Sequence, residues 1–309
     1  MASSLGVSST DFAPTDHLRH RPQPGGRMRD SLFWEAIVPE EGLGFQAYLY
    51  LSGSGKAGFN VAVWDEGEKP LVIDLVQGSV PLTMDFDAFS LEGLRVAQTG
   101  LGGATRVEYQ SERVKLAFTF DGRHPPFSYR QNPDGLPIWF ALNRYEQTGW
   151  IAGELEFDGR RIALNRIGHR DHSWGTRDWR VPQHWKWFAA YTPDGRRMLN
   201  GWLWVARGEW GFAGYVVKDG ELRPIARIRQ HATYDDDMSQ RRLEASLVDT
   251  SGGVTELTLE RFGVLKLPSD GVMIMEAACT AMIDGLAGAG QFETQWSSAY
   301  LDHLIAAKA

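Results

Sequence analysis

Apolar and polar residues alternate with a period of two along most of this chain. That alternation dictates an all-β fold, because successive side chains of a strand point to opposite faces. Clear runs occupy residues 45–51, 59–64, 71–76, 114–120, 150–157 and 161–167, and they resume at 185–191, 198–206, 211–217, 243–248, 254–261 and 273–283. Turn signals separate them. Ser52-Gly53-Ser54-Gly55 divides the first two runs, and Asp121-Gly122 closes the run at 114–120. Asp-Gly steps recur at Asp158-Gly159, Asp194-Gly195, Asp219-Gly220, Asp270-Gly271 and Asp284-Gly285. Such a pair supplies the positive φ angles of a two-residue hairpin, so 150–157 and 161–167 are expected to pair directly. Helix is predicted only at 292–307, where Trp296, Tyr300, Leu301 and Leu304 form an apolar stripe free of Pro and Gly.

Roughly fifteen or more short-linked strands do not close into one small barrel. The 309 residues therefore read as two consecutive antiparallel β units, sandwich or barrel in form. The loop 125–137, rich in Pro, Asn, Asp and Gly, supplies a boundary. This gives a first unit at 31–135 and a second at 136–309, with strands around 139–175 bridging the halves. Residues 1–30 are rich in Ser, Thr, Pro, Gly, His and Arg, and read as a flexible arm without the apolar core of a signal peptide.

Composition removes several function classes. A net charge of -7 argues against a nucleic-acid partner, which needs clustered Lys and Arg. No apolar run approaches the roughly 18–20 residues of a membrane span. A single cysteine, Cys279, excludes an internal disulfide framework, and its apolar strand context marks an inert thiol. A cytoplasmic protein is expected, with its oligomeric state open.

Twelve tryptophans are present, nine of them between Trp139 and Trp210. Large aromatics fill β cores, but they also wall cavities for apolar or cationic species. Both readings stand. For a cavity, Trp139, Trp174, Trp185, Trp187, Trp202, Trp204 and Tyr191 are the candidate wall, with Trp185/Trp187 and Trp202/Trp204 each spaced to share a strand face.

Chemistry concentrates in Gly168-His169-Arg170-Asp171-His172-Ser173-Trp174-Gly175-Thr176-Arg177-Asp178-Trp179-Arg180. Buried charges need partners. One reading is a structural network pairing Arg170 with Asp171 and Arg177 with Asp178. The other is an acid/base centre in which burial keeps a carboxyl protonated. Alternation puts Asp171 on the face opposite Arg170 and His172. His169 and His172, three apart on a strand, cannot share an ion. Asp235-Asp236-Asp237 lacks the spacing of a calcium loop, and no glycine-rich phosphate loop is present. A catalytic metal is not expected from this pattern.

The stretch Asp171-His172-Ser173-Trp174-Gly175, on a Gly168-containing strand after an Asp-Gly hairpin, resembles the Asp-His-x-Trp-Gly signature of the carotenoid 1,2-hydratase (hydroxyneurosporene synthase) and AttH-like superfamily. Gly288-Ala289-Gly290-Gln291-Phe292-Glu293 resembles the Gly-rich, Glu-containing ending of its members. The resemblance implies two lipocalin-like β-barrels side by side and a short C-terminal helix. It also implies large apolar substrates: a terminal isoprenoid alkene, a prenylated isoflavonoid, or the substrates of fungal Diels-Alderases. On that basis the chain is expected to be a cofactor-independent lyase or isomerase working on an isoprenoid or steroid-like molecule in an aromatic barrel cavity. Asp171 would be the acid, with His172 and Asp178 assisting, Glu293 and the aromatics lining the cavity, and Arg170 and Arg177 supporting the site. Two alternatives stay open: a lipid or terpenoid carrier, and a pericyclase relying on shape. Peripheral membrane contact for substrate uptake is likewise open.

Overall fold

The computed structural model describes residues 11–22, 28–269 and 271–308. The Asp270-Gly271 step and parts of the expected arm 1–30 thus fall outside the described residues. In chain order the first strands are β1 (Arg29–Val38), β2 (Leu43–Ser52), β3 (Lys56–Trp64), β4 (Val72–Ser79), β5 (Phe89–Leu91) and β6 (Leu94–Gln98). Then follow β7 (Thr105–Gln110), β8 (Val114–Gly122), β9 (Phe127–Ser128), β10 (Asn143–Phe157), β11 (Arg160–Ala163) and β12 (Arg166–Gly175). The remainder are β13 (Pro182–Tyr191), β14 (Arg197–Ala206), β15 (Glu209–Lys218), β16 (Glu221–Tyr234), β17 (Gln240–Asp249), β18 (Val254–Ser269), β19 (Val272–Ile283) and β20 (Leu286–Ser297), and helix α1 (Ser298–Lys308) ends the chain.

All pairing is antiparallel. β1 to β12 form one 12-stranded sheet whose order is β4-β3-β2-β1-β12-β10-β8-β7-β6-β5, with β9 and β11 also on β10. Strands β10 to β12, expected to bridge two halves, take all their ladder partners within this sheet, while side chains of β10 reach the barrel at Trp187 and Tyr215. The sheet rolls around a core contributed from β1 across to β8, including Trp34, Phe45, Phe59 and Phe118. Its end strands β4 and β5 do not hydrogen-bond, so the roll stays open. β13 to β20 close into a true barrel, filled by residues such as Phe188, Leu199, Leu247 and Phe292. A third core, containing Phe33, Trp64, Trp185, Trp187, Trp202 and Tyr215, lies where the outside of this barrel packs on the rolled sheet.

The turn chemistry reads through into the structure. Asp158, Asp219 and Asp284 take φ of 45°, 51° and 51°, and the glycines after them take 79°, 87° and 79°, as primed hairpin turns require. Asp121-Gly122 behaves otherwise. Both residues remain in β8, paired with Trp150 and Gly149. The helix also begins later than its apolar stripe implied, because residues 292–297 alternate faces between β13 and β19 and complete the barrel. Closure of the ladder outweighs helix propensity there.

Candidate active site

Strand β12 distributes its side chains between two environments. Arg170, His172 and Trp174 point toward the core of the rolled sheet, whereas His169, Asp171 and Ser173 point toward the closed barrel. Arg170 lies over the Phe120 ring at 4.8 Å, and its donors reach the Gln147 amide oxygen at 2.9 and 2.6 Å and Thr105 Oγ1 at 2.6 Å. It has no carboxylate partner among the described residues. The Arg170–Asp171 pairing considered from sequence does not form, since alternation turns the two apart. Replacing Arg170 with Met strips buried amide and hydroxyl acceptors of their donors, and is expected to cost about 2–4 kcal/mol in denaturant unfolding without changing ligand binding.

His172 also faces away from the barrel. Its Nε2 meets Asp30 Oδ1 at 2.6 Å, and Trp174 stacks on His20 with ring centroids 3.7 Å apart. His20, Asp30 and His172 have donor atoms within 4.8 Å of one another, the one such metal-type group among the described residues. They already hydrogen-bond to each other, and they lie behind the strand that carries Asp171. Gly175 ends β12 with φ 128°, and a Cβ there would sit 2.3 Å from the Leu142 nitrogen. The Asp-His-Ser-Trp-Gly run thus sends one pair of side chains to each face and stops the strand.

Asp171 and Ser173 open onto a cavity of about 460 Å³ between the rolled sheet and the barrel exterior. The expected location, a barrel interior, is corrected on this point: apolar side chains fill the closed barrel, and the cavity that Asp171 faces lies between the two bodies. Trp179, Trp185, Trp187 and Trp202 line the cavity with Phe33 and Phe140. Tyr48, Tyr50, Arg29 and Arg177 stand around it as well. Of the other expected wall residues, Trp139 packs edge-on against Trp204 and Trp174 belongs to the opposite face. The Tyr191 hydroxyl is taken up by Glu35 and the Ile37 amide. Asp178 lies at the surface and pairs with Arg180 at 3.1 Å, so neither it nor His172 reaches the cavity.

The chemistry of the cavity is acidic. Arg144 Nη2 sits 3.1 Å from Asp171 Oδ2, and its Nε bonds to Glu146. Glu146 also accepts from His169 Nε2 at 2.7 Å and Trp187 Nε1 at 3.3 Å. Burial raises the Asp171 carboxyl to about 7, opposed by Arg144 and reinforced by the charge of Glu146. On the barrel wall Glu276 and Glu293 face each other in the β19–β20 register. Two buried carboxyls interacting this closely favour holding a proton on one of them. Burial pushes both upward, Glu276 far more so with Glu293 adding to it. Trp185 Nε1 donates to Glu293, and Gln291 Nε2 to Glu276 at 2.7 Å. Two carboxyl stations therefore share one aromatic space, one tied to a guanidinium and one holding its proton between two acids. Separated environments of this kind assign proton donors and acceptors.

Behind Glu276 lies Glu35, which burial raises to about 8, with only the Tyr191 hydroxyl opposing the shift. The folded chain then holds this proton from the ordinary glutamate range up to pH 8, where the unfolded chain has lost it. Stability consequently falls as pH rises through that window. Glu35→Gln removes the cost. The variant is expected to gain on the order of 3 kcal/mol over the parent at pH 8 and almost nothing at pH 4, measured by thermal unfolding across pH.

Arg144, Glu146, Glu276 and Glu35 were not among the sequence candidates, although each leaves a trace. Glu276 is the sole charge in Val-Met-Ile-Met-Glu-Ala-Ala-Cys, and Glu35 the sole charge in Ser-Leu-Phe-Trp-Glu-Ala-Ile-Val. A lone acid in an apolar strand is a buried acid. Arg144 and Glu146, two apart on β10, share a face.

The model of a family described as Domain of unknown function (DUF7064) matches residues 13–298. The chain belongs to this family. No curated protein matches the DUF7064 chain by sequence. Among solved structures it is similar to a protein assigned as AttH from Nitrosomonas europaea, at 15% identity and TM-score 0.65, over 96% of this chain and 99% of that one. It is also similar to kievitone hydratase from Nectria haematococca, at 11% identity and TM-score 0.60, over 95% of each. A third is CghA, solved with Sch210972, at 14% identity and TM-score 0.57, over 88% of this chain and 89% of that one. At these identities the likeness is one of fold: the DUF7064 chain has the AttH-like architecture. No helix among the described residues is long and apolar enough to cross a membrane.

Proposed function

We propose that this protein is a cofactor-independent lyase or isomerase that acts by acid catalysis on a hydrophobic substrate of isoprenoid or polycyclic type. One observation carries the reading: Asp171, Glu276 and Glu293 line a tryptophan-walled cavity in which burial favours their protonated forms. Asp171 is the residue suited to exchange a proton at neutral pH, because a catalytic group works best when it titrates near the working pH. Protonation of an alkene carbon by its carboxyl leaves a carbocation against the faces of Trp185, Trp187 and Trp202. Addition of water, with its proton returned to the carboxylate, completes a hydration. Loss of a neighbouring proton to the carboxylate instead gives an isomer, and attack by a second alkene closes a ring whose new cation then loses a proton to the same carboxylate. Kievitone hydratase, which shares the architecture, is named for chemistry of this class.

The test is a panel of prenylated phenols, terpenoid alkenes and terpenoid alcohols incubated with the protein in D₂O, with products weighed by mass spectrometry. Solvent deuterium on carbon, lost in Asp171→Asn, is the expected result. Ligand retention with no product from any member of the panel would make the protein a carrier instead.

A further inference from the structure

Three guanidinium groups, those of Arg29, Arg144 and Arg177, face the cavity. Arg144 is matched by Asp171 and Glu146. The other two form no ion pair among the described residues. The Arg29 guanidinium lies over the Tyr50 ring at 4.2 Å and the Tyr48 ring at 5.8 Å. Arg177 directs Nη2 at Ser31 Oγ (2.9 Å), the Ser173 carbonyl (2.6 Å) and Ser173 Oγ (2.8 Å). All of these partners are neutral, and its Nε is buried with no partner. The two arginines repel one another, while the Asp171 carboxylate attracts Arg177 without forming an ion pair with it. Both also line a groove of about 550 Å³ that adjoins the cavity at Arg29, Arg177, Trp179 and Ser269, so they stand at the mouth.

Holding two like charges together on neutral acceptors costs stability. Other arginines of the chain do have a carboxylate: Arg180 has Asp178 and Arg166 has Glu40. The serine hydroxyls and the tyrosine faces hold both side chains in place, which lowers the cost of ordering them on a ligand. Guanidinium forks match the planar geometry of a carboxylate.

We propose that Arg29 and Arg177 form a receptor for the carboxylate of an amphipathic substrate whose apolar body enters the tryptophan-lined cavity. A single negative charge fits this site better than a polyanion, because Asp171, Glu276 and Glu293 lie deeper in the same space. The inference names the substrate class for the reaction proposed above and rests on that reading only for turnover; the binding site stands on its own geometry.

The test compares 11-(dansylamino)undecanoic acid with its methyl ester by fluorescence titration of the full chain. The acid is expected to bind about tenfold more tightly than the ester, as charged hydrogen bonds of this kind provide. In the Arg29→Gln/Arg177→Gln double variant the preference should fall to about twofold or less, with ester affinity unchanged, which also shows that the variant is folded. Equal affinities in the parent overturn the proposal, as does a preference that survives the double substitution or failure of both probes to bind. Asp171→Asn separates the two readings. If it abolishes turnover but acid and ester bind alike, the receptor alone fails. If turnover persists in it while the parent prefers the acid, the catalytic assignment alone fails.

Discussion

Asp171→Asn is expected to lower turnover by about 10²- to 10⁴-fold, the usual contribution of a positioned general acid, while the melting temperature stays within a few degrees of the parent. Asn keeps the size and one acceptor oxygen of the carboxyl. Arg144 keeps Glu146 as its partner, so no buried charge is stranded. The substitution also removes a carboxyl that burial drives up to about 7, hence one whose ionisation opposes folding. In the parent, the pH–rate profile should carry a limb near pH 7 from this group, and in the variant that limb should vanish from whatever activity remains. Kinetics and calorimetry on the two proteins check both halves. A variant that is fully active with the parental pH profile moves the acid to the Glu276–Glu293 pair.

Arg144→Leu is expected to have the opposite character, a large loss of stability. The Arg144 guanidinium is the counter-charge for both Asp171 and Glu146, and it is buried, 5.3 Å from the Phe140 ring centre. Removing one partner of a buried ionic group costs about 3–5 kcal/mol, or roughly 5–10 °C in melting temperature for a chain of this size. The cost has a pH signature. Without the arginine the two carboxyls must take up protons to stay buried, and both folded pKa values rise, that of Asp171 further above its unfolded value and that of Glu146 from below its own. Stability lost in this way is greatest at high pH and shrinks as pH falls toward the unfolded carboxylate range. Unfolding curves at pH 5 and pH 8 should therefore differ more for the variant than for the parent.

Much of the fold was legible because the alternation and the Asp-Gly turns are local signals with short-range causes. What escaped was set by distant partners. β1 begins at Arg29, inside the stretch read as an arm, and becomes a strand because β2 and β12 flank it on both sides. Residues 292–297 carry a helical stripe but are claimed by barrel closure. For the site, alternation separates Asp171 from Arg170 and His172. It does not reveal that the closed barrel is filled and that the free space lies outside it. His172 was grouped with Asp171 by adjacency in sequence, yet a strand sends neighbours to opposite faces. Arg144 and Glu276 come from β10 and β19, more than twenty and one hundred residues from Asp171, so only assembly of both sheets brings them to one cavity.

If protonated carboxyls face this cavity at neutral pH, pH-difference infrared spectroscopy of the ligand-free protein detects them without any substrate. The parent should show protonated-carboxyl absorption at pH 7, part of it titrating with a midpoint near 7 that is absent in Asp171→Asn, and part persisting above that pH that is diminished in Glu276→Gln. A spectrum in which every carboxyl is already ionised at pH 6 would contradict the account.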